Sequence, residues 1–145
     1  VIRVSVQVEP IDLAATLASV EGKGSGAVAS FSGFVREDDG VSELSLEHYP
    51  GMTEAVLRGL AEEAAARWQL HAVAVVHRVG PMGPGERIVL VATAAAHRHA
   101  ALEACTFLID RLKTEAPFWK RERRSEDARW VEARGGDASA ADRWR

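Results

Sequence analysis

From Ala101 to Leu112 the chain sets apolar residues at Ala101, Ala104, Cys105, Leu108, Ile109 and Leu112, and then Pro117 follows. The i, i+3, i+4, i+7 spacing predicts an amphipathic helix with one buried stripe. Proline has no N–H to give and its ring clashes with the preceding turn, so the helix must end there. Any fold of this chain therefore has to lay the stripe on a core and then turn sharply. Lys113 falls about 40° past Ile109 at about 100° per residue, beyond the stripe's edge, and is predicted to run along the surface into a groove. Beyond the turn, Phe118-Trp119 precede Lys120. Two amines are thus expected beside an aromatic wall. Such a pair can bind an anion, and partial desolvation can tune a lysine towards catalysis. The plainer alternative is two surface lysines flanking a core Phe-Trp pair.

The other segments alternate between strand and helix patterns. Ile2 to Val8 alternates apolar with polar, a half-buried strand. Pro10 is expected to open a short helix through Leu13, Leu17 and Val20, closed by Gly22 and Gly24. Gly26 to Val35 reads as a second strand whose small residues admit a close neighbour. It ends at Arg36, and Asp39-Gly40 signals a tight turn into a return strand, Val41 to His48. After Pro50-Gly51, Thr53 to Leu70 predicts a long helix with Val56, Leu60, Ala64 and Trp68 on its apolar side. His71 to Val79 and Glu86 to Ala95 predict a hairpin around a turn at Gly80 to Gly85. The helix of the opening stretch runs from about His99 to Ala116. Beyond Lys120 a charged stretch leads to a short strand at Trp130 to Ala133 and a polar tail from about residue 135. Hairpins with helices between them predict an α+β domain with a mainly antiparallel sheet and flanking helices. With 145 residues, 47% hydrophobic and 27% charged, one domain spanning residues 1–145 is expected.

Charge and composition exclude several function classes. Lys+Arg 18 against Asp+Glu 21 gives a net charge of −3, so no global field favours nucleic acid or an anionic membrane, and any anion site must be local. The single cysteine excludes an internal disulfide, and its place in the stripe predicts a buried, inert thiol. No apolar run approaches a membrane span and the first residues alternate like a strand, so a cytoplasmic protein is expected. Nothing matches a phosphate-binding P-loop, a dinucleotide fingerprint or a nucleophile elbow. The histidines at 48, 71, 77, 97 and 99 do not form the helical pair of a zinc hydrolase, and no metal or cofactor is expected. His97-Arg98-His99 at a predicted helix start works against the helix dipole unless an anion binds there. Arg36, after the glycine-rich strand, is a second candidate phosphate ligand. Lys120 to Arg124 is interleaved and followed by acidic residues, which predicts a solvated charged segment instead of a nucleic-acid patch.

Several stretches occur together in an order that resembles a known family. They are Ser30-Phe31-Ser32-Gly33-Phe34-Val35-Arg36, Leu46-Glu47-His48-Tyr49-Pro50-Gly51-Met52-Thr53-Glu54, His77-Arg78-Val79-Gly80, His97-Arg98, and Leu112 to Glu122. By these stretches the chain resembles the large, catalytic subunits of molybdopterin synthase, from about Gly26 to Trp144. The resemblance implies an α/β hammerhead fold and a homodimer. Each copy would receive the carboxy-terminal Gly-Gly thiocarboxylate tail of a small, ubiquitin-like sulfur-carrier subunit, making a heterotetramer. It implies sulfur transfer to cyclic pyranopterin monophosphate, forming the dithiolene of molybdopterin. Lys113 and Lys120 resemble the family's two functional lysines, His97 and Arg98 its substrate-anion site, and Phe34-Val35-Arg36 its other binding strand. Arg121 and Glu122 continue the segment lining the pocket, and Arg134 resembles an arginine associated with the neighbouring subunit. Glu115 stands where relatives often carry a basic residue; facing the pocket it would weaken anion binding, facing water it would not. A non-catalytic phosphate- or pterin-binding module on the same fold is the alternative function.

Overall fold

A computed structural model describes residues 1–22, 24–36, 41–124, 127–131 and 144. The elements follow in the order β1 (Ile2–Gln7), α1 (Leu13–Val20), β2 (Ala27–Phe34), β3 (Val41–His48), α2 (Met52–Trp68), β4 (Ala72–Arg78), β5 (Gly80–Met82), β6 (Arg87–Ala95), α3 (Arg98–Glu115), β7 (Phe118–Arg124) and β8 (Asp127–Val131). Among the described residues the strands form two four-stranded sheets, ordered β1-β4-β6-β2 and β5-β3-β7-β8. All pairings are antiparallel except β1 with β4. The expected α+β class with flanking helices holds, with two sheets where one was foreseen.

The first sheet carries the core because its central strands are apolar on both faces. One face of β4 and β6 sets Val73, Val75, Val89 and Val91 against Leu57, Leu60, Ala61 and Ala64 of α2 and the α3 stripe. The other presents Ala72, Ala74, Ala92 and Ala94, small enough for α1 to lie close through Val20 and Leu17. The α3 stripe buries as its periodicity predicts: Ala101, Ala104, Cys105, Leu108 and Leu112 are all buried, joined by Phe107. Burial pushes the Cys105 thiol up to about 11, so the sulfur stays protonated and inert.

Four elements differ from the sequence reading. Helix α1 starts at Leu13, not Pro10, because Asp12 caps it by accepting the Ala15 N–H at 3.0 Å. Gly80 to Met82, expected as turn, is strand β5, pairing Leu44 with Met82 and Leu46 with Gly80. The charged stretch after Lys120 is strand β7, paired along β3 from His48↔Phe118 to Val41↔Arg124. The strand expected at Trp130 to Ala133 begins earlier, at Asp127 of β8, and its last two residues lie outside the described ones. The Asp39-Gly40 turn and Arg134 lie outside the described residues.

The sheets meet at one end of β4 and β6. There Val35, Leu44, Leu46, Val79 and Met82 form a small second core, with Phe118 packed against it. Buried Arg78 fastens this junction: its Nε and Nη2 donate to the Val8 carbonyl at 3.0 and 2.7 Å, and Nη1 donates to Glu86 at 2.9 Å.

Candidate active site

The turn after α3 is fixed from both sides. Ala116 N–H donates to Leu112 O at 3.2 Å, ending the helix, and Phe118 N–H donates to Ala116 O at 2.9 Å across the proline. Fully buried Thr53, in the first turn of α2, donates its hydroxyl to the Pro117 carbonyl at 3.3 Å and accepts the Tyr49 N–H at 3.1 Å. Lys113 therefore leaves the last turn of a buried helix, and Lys120 leaves the third residue of a strand, with a rigid corner between them. Both line one cavity of about 380 Å³ at the junction of the two sheets.

Arg36 and Phe34 line the same cavity from the end of β2, and His77 and Phe118 close its inner side. Phe34, 46% exposed, is braced by the Arg87 guanidinium 5.0 Å from its ring centre. Gly33 lies on the wall between Phe31 and Val89, where an added Cβ would stand 2.9 Å from Val89 Cγ1. The small residues of β2 thus leave room, but the neighbour they admit is the chain itself.

Other residues singled out in the sequence lie elsewhere. Val35 is buried in the junction core, its N–H bonded to Glu86 O and its carbonyl to Gly85 N–H, both at 2.9 Å, so it supports the wall without an open polar group. Strand alternation puts Phe118, Lys120 and Glu122 on one face of β7 and the exposed Arg121 on the other. His97 and Arg98 are exposed at the start of α3, with His97 in the N-cap position. Along the helix they stand about 22 Å from Lys113 at 1.5 Å per residue. Glu115 turns away from the cavity's lining and ion-pairs with Arg111, which also reaches Glu63 at 2.9 Å.

The sequence reading missed His77 as a cavity residue. It is the last but one residue of β4, follows an apolar run, is only 6% exposed, and stacks on Phe118 with ring centres 3.9 Å apart and planes 19° apart. Its Nδ1 lies 2.8 Å from the Arg78 carbonyl oxygen. Burial pushes its pKa down to about 4, partly relieved by that backbone bond and reinforced by Lys113, Lys120 and His48 nearby. A polar residue breaking an apolar run within a quoted motif was the available signal. Among the described residues no group of three or more His, Cys, Asp or Glu could hold a metal ion, and no helix is long and apolar enough to cross a membrane.

Fold and cavity together define an α+β domain with a pocket between two sheets that Arg36, Lys113 and Lys120 line. Residues 6–115 match the family described as MoaE protein, and the chain belongs to that family. A molybdopterin synthase catalytic subunit from Mesorhizobium japonicum is 50% identical, over 98% of this chain and 92% of its own length. The one from Escherichia coli K12 is 53% identical over 82% of this chain and 81% of its own. A solved molybdopterin biosynthesis MoaE protein from Burkholderia ambifaria superposes with a TM-score of 0.87 at 46% identity, covering 99% of this chain and 98% of that one. A molybdopterin synthase from Staphylococcus aureus superposes with 0.83 at 31% identity, over 88% and 95%.

Proposed function

We propose that this chain is the catalytic subunit of a molybdopterin synthase, a sulfurtransferase of the cytoplasm. It takes sulfur from the carboxy-terminal thiocarboxylate of a small ubiquitin-like subunit and adds it, twice, to cyclic pyranopterin monophosphate, giving the dithiolene. The observation that carries this reading is the pairing of Lys113 and Lys120, from either side of the Pro117 corner, in one cavity with Arg36.

Each transfer leaves the donor tail as a carboxylate, and opening the cyclic phosphate adds negative charge. Preorganised cations in a partly enclosed site stabilise such charge as it develops. Arg36 offers a guanidinium fork to phosphate, and a lysine amine can move a proton or transiently hold a carbonyl. No cysteine of this chain enters the scheme, because the sulfur arrives on the partner's tail.

Phe34, Arg36, Lys113 and Lys120 act within one copy, and Glu122 lies on the Lys120 face of β7. His97 and Arg98 are too far along α3 to share a substrate with Lys113 of the same chain, so their role as anion ligands requires a second copy. The same holds for Arg121 on the outer face of β7, and Arg134 is assigned to the neighbouring subunit. With β2 at the edge of its sheet among the described residues and Val28 38% exposed on it, the strand supplies surface for a homodimer within a heterotetramer.

The test combines the purified chain with thiocarboxylated small subunit and cyclic pyranopterin monophosphate and looks for the dithiolene. Lys113→Ala and Lys120→Ala should each depress product formation about a hundred-fold or more, with the small subunit still bound. Lys120→Arg keeps the charge but not the proton exchange, so lost activity there favours acid–base or covalent chemistry over anchoring. Native rates in both alanine variants would sink the assignment, and substrate binding without turnover by the wild-type chain would leave a binding module.

A further inference from the structure

The cavity's cations account for an anion but not for a choice among anions. His77 supplies what they lack. The Arg78 carbonyl can only accept, so Nδ1 carries the ring proton and Nε2 keeps its lone pair. His77 lines the cavity and its Nδ1 edge is held by the Arg78 carbonyl, which leaves the opposite edge of the ring, with Nε2, as the one a guest can meet. The parallel stack on Phe118 and the Nδ1 bond fix the ring in two dimensions, which fixes the direction of the lone pair.

A fixed lone pair repels the oxygens of a phosphate or carboxylate and attracts an N–H or O–H. The ring cannot escape this role by protonation. It is buried, with Lys113 of α3, Lys120 of β7 and His48 of β3 as the charged or titratable groups that oppose a further positive charge. The exposed faces of Phe31 and Phe34 add flat apolar wall suited to a planar heterocycle.

We propose that His77 is a specificity-determining residue of this site: its Nε2 accepts a hydrogen bond from a ring N–H of the bound heterocycle, while Arg36, Lys113 and Lys120 take the anionic group. This rests on the pterin reading of the substrate and deepens it, dividing the cavity into a cationic end and a neutral, donor-reading end.

Tetrahydropterin, which has ring N–H groups and no phosphate, and inorganic phosphate are the two probes. H77N can keep the Arg78 carbonyl satisfied but places no acceptor where Nε2 stood; H77Q extends an amide oxygen towards that place. H77N should weaken tetrahydropterin binding about ten-fold with phosphate binding within two-fold, and H77Q should recover most of the loss. Arg36→Ala should do the reverse, weakening phosphate and sparing tetrahydropterin. Independently of any variant, the Nε2 resonance of 15N-histidine-labelled wild-type protein should move on adding tetrahydropterin. An unmoved resonance, or equal tetrahydropterin affinity in H77N and wild type, overturns the proposal. Wild-type dithiolene formation with an unchanged KM in H77N overturns it while leaving the parent reading intact. No dithiolene from the wild-type chain overturns the parent reading, and absence of tetrahydropterin binding as well overturns both.

Discussion

The hydroxyl of Thr53 holds the corner on which the site depends, joining the start of α2 to the Pro117 carbonyl in a fully buried position. Thr53→Val keeps the shape and removes both hydrogen bonds, leaving the Tyr49 N–H and the Pro117 carbonyl to find other partners. A loss of about 1–3 kcal/mol is expected, read as a lower urea midpoint at unchanged slope. An unchanged midpoint would mean that proline alone sets the corner. His77 makes a pH-dependent contribution of opposite origin. Its folded pKa, about 4, lies below the ordinary 6.5, so between these values the unfolded chain holds the proton and the native chain does not. Stability is therefore full above pH 6.5 and falls as pH drops towards 4, by on the order of 3 kcal/mol. Carboxylates titrate in the same window, so the measurement is the difference between wild type and H77N, whose profile should be the flatter. Parallel profiles would show that the ring is not held neutral.

At the scale of elements, a glycine shows how tightly β2 is seated. A Cβ on Gly26 would stand 2.2 Å from the Ala96 carbonyl oxygen, a backbone atom that cannot step aside. Gly26→Ala should cost about 1–3 kcal/mol in thermal unfolding, and an unshifted melt would show that the chain between β6 and α3 yields. Elements with a strong apolar period were legible: β3 is bounded as expected, and α3 buries the stripe that its spacing announced. Strand β7 was not. Its run Lys120-Arg121-Glu122-Arg123-Arg124 carries charge at every position, so no alternation marks a pleat, and only pairing with β3 makes it a strand. Strand β5 hid behind glycine and proline for the same reason. The site divides similarly. Lys113 and Lys120 could be placed by helix period and proline, whereas the orientation of His77 depends on Phe118, 41 residues later in the chain, stacking on it. No local pattern carries that information.

At the scale of the whole molecule, Trp144 returns to the helices after the long excursion of the second sheet. Its ring meets Trp68 and Phe107 edge-on at 6.0 and 5.9 Å, Arg67 lies 5.7 Å from its centre, and its indole N–H donates to Asp110. Trp144→Ala should destabilise the domain by about 1–2 kcal/mol in denaturant titration, and no change would make the contact incidental. Sedimentation of the isolated chain tests assembly: a dimer is expected, and a monomer at micromolar concentration would leave His97 and Arg98 without a cavity to serve.

The cavity draws its walls from both sheets, Phe34 and His77 from one and Leu46, Phe118 and Lys120 from the other. A guest seated there acts as mortar between them. Parting the sheets would first require its release, so at a hundred-fold excess over its dissociation constant it adds about 2.7 kcal/mol against any opening that destroys the pocket. Amide protons along β3 and β7, including those well away from Leu46, Phe118 and Lys120, would then exchange more slowly in its presence, so that the whole second sheet reads out whether the cavity is filled.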